Sequence, residues 1–258
     1  NTRSGWEGVA FKSRLFFSAK PNFANMKLDI LAFGAHPDDV EISAAGTILK
    51  HIDLGYKCGI VDLTQGELGT RGNAELRLQE AERASNILGL EARENLGFAD
   101  GFFQNDKQHQ LPIIKMIRKY QPEIVLANSV RDRHPDHGKA AKLVADACFL
   151  SGLIKIETEQ EAWRPKAIYH YIQDEYIHPD LTVDITPYLE KKMESIKAYT
   201  SQFYNPDSDL PDTPISGKDF LEFLVGRAKL VGRPIGAKYA EGFTAARNVG
   251  VNDLFDLV

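Results

Sequence analysis

Apolar residues in this chain fall into two kinds of run that take turns. Lys27 to Gly34 (KLDILAFG), Lys57 to Leu63 (KCGIVDL) and Pro122 to Ala127 (PEIVLA) are short, nearly continuous apolar stretches. That is the pattern of strands buried on both faces. Between them, apolar positions recur at helical spacing over Val40 to Leu54, Ala74 to Leu88, Leu111 to Tyr120 and Lys139 to Phe149. The first of these meets a helix-stop signal at Gly55. A shorter strand is expected near Glu94 to Leu96. This alternation predicts a Rossmann-like α/β domain, a mainly parallel sheet with helices on both faces.

After Trp163 the rhythm changes. Lys166 to Ile172 and Leu181 to Ile185 read as strands, and Thr186 to Ser201 as a helix with Pro187 in its first turn. A turn-rich loop, NPDSDLPDTPISG, precedes a helix over Lys218 to Leu230, and the segment YAEGF closes the domain. Residues 1–25 have neither clear periodicity nor the apolar core of a secretory signal, so they are expected to form an extension ahead of a single domain over 26–258.

Composition narrows the function classes. Of 258 residues, 43% are hydrophobic and 26% charged, which is ordinary for a globular chain. The formal net charge of -5 argues against a broad polyphosphate-binding surface, and hence against nucleic acid as a partner. No apolar run approaches the ~20 residues needed to span a bilayer, so no membrane partner is expected. Cys58 and Cys148 both sit in apolar surroundings and read as buried free thiols, in keeping with a reducing cytoplasm.

The chemistry concentrates in two short stretches, Ala35-His36-Pro37-Asp38-Asp39-Val40-Glu41 and Arg133-His134-Pro135-Asp136-His137. Each follows a buried strand and precedes a helix. The carboxyl ends of strands in an open parallel sheet surround the ligand crevice, so the two can meet there. His36 and Asp39, three apart on a tight turn, can reach one metal ion, with His137 as third ligand. Two histidines and a carboxylate without a thiolate suit a catalytic zinc with an open position for water; iron(II) fits a comparable set. Asp38, beside Asp39, can take a proton from an activated water. His134 can face a developing oxyanion or protonate a leaving amine, with Asp136 orienting it. Read singly, Asp38 and Asp39 are equally apt to cap a helix, and the histidines to be ordinary loop residues. His51, His109, His170 and His178 lack paired spacing and carry no such expectation.

These motifs resemble the LmbE-like (PIG-L) deacetylases, whose hallmark is an AHPDDE-type turn followed much later by an HxxDH-type loop. Here one residue separates the second Asp from Glu41, and the later loop reads His134-Pro135-Asp136-His137. The likeness runs from about Lys27 to Val258 and includes TRG at Thr70, SQF at Ser201 and YAEGF at Tyr239. It implies an LmbE-like fold, metal ligands at His36, Asp39 and His137, a general base at Asp38 and a charge-stabilising histidine at His134. Within the family the chain is most similar to the bacillithiol-biosynthesis branch, which deacetylates N-acetylglucosaminyl-malate. That branch implies a small acetylated glucosamine conjugate as partner and a homo-oligomer, a hexamer among the options. It also implies arginines at Arg77 and Arg133 on the malate. Arg71 is a weaker candidate, and the alternative for Arg77 and Arg133 is surface pairing with Glu75, Glu80 or Asp132. Two competing functions stay open on the residues alone: a metal-dependent phosphoesterase, and a non-catalytic nucleotide-binding module. The carboxylates of AHPDD stand where a pyrophosphate would need bare N–H groups, which disfavours the second.

Overall fold

The computed structural model describes residues 26–257; the expected extension over 1–25 lies outside them. Among these residues seven strands form one sheet in the order β3-β2-β1-β4-β5-β7-β6. β1 (Ile30–Gly34), β2 (Cys58–Thr64), β3 (Ala92–Phe98), β4 (Ile124–Ala127) and β5 (Ala167–Tyr171) run parallel. β7 (Ala240–Ala245) is antiparallel to both of its neighbours, β5 and β6 (Leu181–Asp184).

The period of two along the central strands divides the core. Leu31 and Phe33 of β1, with Val61 and Leu63 of β2, pack beneath α3 (Lys107–Tyr120) and α4 (Pro135–Leu150). Ile30 and Ala32, with Cys58 and Ile60, face α1 (Asp39–Asp53) on the other side. A third apolar cluster joins α1 to α2 (Ala74–Leu88), α5 (Leu189–Lys197) and α6 (Lys218–Gly232). As expected, Gly55 lies just past α1 with a left-handed φ of 89°.

Several elements differ from the sequence expectation. β3 is longer than Glu94 to Leu96 because its polar residues are partnered. Arg93 pairs with Asp62 and Glu41, and Glu94 with Lys119 and Tyr120. α3 starts upstream of Leu111, where Asp106 caps it by accepting the His109 N–H, and Pro112 lies inside the helix. α4 starts at Pro135 rather than Lys139, so the second motif is its first turn. α5 is shorter than Thr186 to Ser201 and is preceded by a 3₁₀ turn over Thr186–Tyr188. YAEGF becomes most of a strand inserted between β5 and β6. No helix among the described residues is long and apolar enough to cross a membrane.

Candidate active site

Strand order reverses between β1 and β4: β1 is followed by β2 on one side and flanked by β4 on the other. Such a switch point opens a crevice at the carboxyl ends of the strands. The two motifs enter it from there, His36 to Asp39 running from the β1–α1 turn into the start of α1, and Asp132 to His137 from the loop after β4 into the first turn of α4. The resulting cleft is lined by His36, Asp38, Asp39, His134 and His137, with apolar walls from Ile42, Leu68, Ile215 and Phe220.

Asp39 stands at the centre. Its Oδ1 lies 3.1 Å from His137 Nε2, and its Oδ2 lies 3.6 Å from His36 Nδ1. The far nitrogen of each ring is held by a carboxylate. His36 Nε2 is 3.0 Å from Asp100 and 3.4 Å from Asp136, and His137 Nδ1 bonds Asp132. Carboxylate–histidine pairs of this kind fix ring orientation around metal ions. Burial opposes charge on both rings, yet the carboxylates prevail: His137 is lifted to about 9 and His36 well above its ordinary value. Asp39 is buried too, but the two histidines hold it well below the usual carboxylate range. The chemistry of this donor set is that of a place built to hold positive charge, which is what a dication needs. Among the described residues, two further groupings bring one donor atom from each residue within 4.8 Å of one another: His36 with His134 and His137, and His36 with Asp100 and Asp136.

Asp38 occupies the N-cap position of α1 with a φ of 114°, a left-handed conformation, and its side chain makes no capping bond. The helix-cap alternative therefore fails for this residue. Burial raises its pKa, the Arg77 guanidinium lowers it, Asp39 raises it again, and it comes to rest at about 7. Arg77 Nη2 donates to Asp38 Oδ2 at 3.1 Å and to the Pro37 carbonyl at 2.8 Å.

His134 does cap α4: its Nδ1 accepts the Asp136 backbone N–H at 3.3 Å. An acceptor at Nδ1 places the ring proton on Nε2. Burial, and then the two neighbouring histidines, lower the pKa of His134, so the ring is neutral at neutral pH. The expectation that the Asp136 carboxylate orients His134 is corrected here. That carboxylate turns to His36 and to the Gly101 N–H, and only the Asp136 backbone touches His134.

The arginines separate. Arg77 is buried in the cleft wall and engages Asp38, not Glu75 or Glu80. Arg133 is exposed at the rim and pairs with Asp174 rather than Asp132. Arg71 does not line the cleft; it is tied to Ser208 Oγ at 2.6 Å and to the Gln202 carbonyl. Glu41 also points away from the cleft, accepting Arg93 and Tyr199 in a buried cluster. Asp100, Asn128, Gln173 and Arg227 belong to the site without having been singled out in the sequence. Asp100, Asn128 and Gln173 fall within two residues of the ends of β3, β4 and β5, so scanning every strand end would have found those three.

Fold and site together define a class of α/β proteins with a buried cluster of histidines and carboxylates at the switch point of the sheet. The family pattern described as GlcNAc-PI de-N-acetylase (PIG-L) matches residues 31–148. The chain is 29% identical over 249 residues to diacetylchitobiose deacetylase of Thermococcus kodakarensis, covering 90% of this chain and 88% of that protein. It is 28% identical over 194 residues to a probable N-acetyl-alpha-D-glucosaminyl L-malate deacetylase 2 of Bacillus anthracis, covering 70% and 84%. It is also 26% identical over 236 residues to 4-oxalmesaconate hydratase of Pseudomonas putida, covering 85% and 84%. The crystal structure of a conserved Thermus thermophilus protein superposes with a TM-score of 0.79 at 33% identity, covering 87% and 97%. The chain belongs to the PIG-L family of LmbE-like deacetylases.

Proposed function

We propose that this protein is a zinc-dependent hydrolase that removes the N-acetyl group from an N-acetylglucosamine conjugate, with His36, Asp39 and His137 as the metal ligands. The observation that carries this reading is the meeting of both histidines on Asp39, each with its far nitrogen held by a carboxylate. Zinc bound there would supply Lewis acidity and lower the pKa of a bound water. Asp38, beside the ligand Asp39 and with a pKa near neutrality, accepts the proton of the attacking water and returns it to the departing amine. Arg77 keeps Asp38 in place from the opposite side. His134, neutral and carrying its proton on Nε2, donates to the oxygen on which charge develops. The apolar walls of the cleft suit the faces of a sugar ring.

The malate conjugate is the finer reading; beside the 28% likeness to the Bacillus anthracis protein it rests, among the arginines, on Arg133, since Arg77 is already committed to Asp38. Similarity to a hydratase is a reason to test the chemistry directly, because water activation serves both reactions. Acetate release should be measured on N-acetylglucosaminyl-malate and on neutral N-acetylglucosamine compounds, with a chelator and after zinc is restored. Release should cease with the chelator and return with zinc, and His137→Ala should lose the metal. Metal-independent release, or no release from any N-acetylglucosamine compound, would overturn the assignment.

A further inference from the structure

Two buried amides grip Asp39, and neither belongs to either motif. Asn128 is the first residue after β4, and Gln173 follows β5 by two positions. Asn128 Nδ2 donates to Asp39 Oδ2 at 2.9 Å, and Gln173 Nε2 donates to Asp39 Oδ1 at 3.0 Å. The orientation of each amide is fixed from behind. Asn128 Oδ1 accepts the Ala35 N–H, and Gln173 Oε1 accepts both Asn128 Nδ2 and the Ser129 N–H. Arg227, from α6, holds the Gln173 backbone carbonyl.

A carboxylate oxygen has two lone-pair sites. Oδ2 spends both, on Asn128 Nδ2 and on the His36 backbone N–H at 3.0 Å. Oδ1 spends one on Gln173, and its other side faces His137 Nε2. The two oxygens are therefore not equivalent. The donors are also neutral: a lysine or arginine here would set a like charge beside a metal ion, and a carboxylate would repel Asp39.

We infer that Asn128 and Gln173 are positioning residues that anchor Oδ2 and leave Oδ1 as the single oxygen Asp39 offers to a metal. This rests on the reading of His36, Asp39 and His137 as ligands. Loss of outer partners of this kind weakens metal affinity by roughly ten- to a hundred-fold.

The test uses the full chain with zinc alone, its affinity measured by competition with a chromophoric chelator, and with cobalt(II) as a spectroscopic probe. Gln173→Met and Asn128→Leu remove the donors at nearly constant shape, and His137→Ala serves as the ligand-loss reference. Each amide variant should bind zinc about ten- to a hundred-fold more weakly. Asn128→Leu should in addition lower the intensity of the cobalt visible bands, because a released Oδ2 can join Oδ1 and raise the coordination number. Metal-free melting temperatures separate this from simple loss of fold. If His137→Ala loses zinc while both amide variants keep wild-type affinity and spectrum, the amides serve packing only and the inference falls. If a variant melts lower but binds zinc as wild type does, it falls likewise. If His137→Ala binds zinc as tightly as wild type, the ligand reading itself fails and takes the inference with it.

Discussion

At the scale of single residues, Asp38 concentrates three unfavourable conditions: a left-handed backbone, near-complete burial and a neighbouring carboxylate. A strained backbone of this sort costs on the order of 1–3 kcal/mol and persists where surrounding structure over-determines it. Asparagine tolerates the left-handed region and preserves shape, so Asp38→Asn isolates the loss of the base. Turnover should fall by about 10²–10⁴ while zinc content, read by metal analysis, stays at the wild-type level. Arg133 is a milder case. Its exchange of Asp174 for a substrate carboxylate takes place in solvent, where such pairs are worth at most about 1 kcal/mol. Arg133→Ala should therefore cost up to about five-fold in kcat/KM on the malate conjugate and leave a neutral glucosaminide unchanged. Equal losses on both would remove Arg133 from anion recognition. His36, Asp38, Asp39, His134 and His137 could be picked out in the sequence because their spacing is local. Asp100, Asn128 and Gln173 carry no such local pattern: each is a lone polar residue just past a strand end, which only a scan of every strand end would reach, and its role exists only where that strand ends beside another. The partners of Arg77 and Arg133 were hidden for the same reason.

Among the elements, α1 joins the site to the rest of the fold. Its first turn carries Asp39 and Glu41, and Glu41 is clamped by Arg93 of β3 and by Tyr199. In its middle, the Gly46 and Thr47 N–H groups donate to Glu241 of β7, which also pairs with Lys192 of α5. Gly46 lets α1 lie directly on Ile185: an added Cβ would stand 2.7 Å from Ile185 Cδ1 and 2.8 Å from its Cβ. In an open helix Gly→Ala gains roughly 0.5–1 kcal/mol, but overpacking costs about 1–3 kcal/mol. Gly46→Ala should thus lower the free energy of unfolding, seen as a lower urea midpoint at constant slope; a higher midpoint would show that Ile185 yields freely. Helix and strand identity could be read from apolar periodicity along most of the chain. Boundaries could not where polar partners decide them, as with Arg93 and Glu94 in β3. Nor could the start of α4, where a histidine rather than Ser, Thr, Asp or Asn is the cap.

For the molecule as a whole, the central sheet seals both cysteines. Burial pushes the Cys58 and Cys148 thiols up to about 12, with Asp29 adding to the effect at Cys58. A disulfide-exchange reagent at mildly alkaline pH should find no reactive thiol in the native chain and two per chain in denaturant. Rapid native labelling would mean that the sheet opens readily. The parallel half of the sheet followed from the early alternation of strands and helices, whereas the antiparallel insertion of β7 did not, because pairing between distant segments leaves no periodic trace. That insertion bears on how the chain is born. On a ribosome, β1 to β4 can close against one another as soon as β4 emerges, since each has at least one strand partner within that stretch. β6 has no strand partner until β7 is made, and Glu241, which steadies the middle of α1, arrives with it. A nascent chain stalled before β7 would therefore expose free edges at β5 and β6, a prompt for aggregation or proteolysis. Arg227, which holds the loop bearing Gln173, is also made late, so the cleft is fully braced only once translation of this stretch is nearly done.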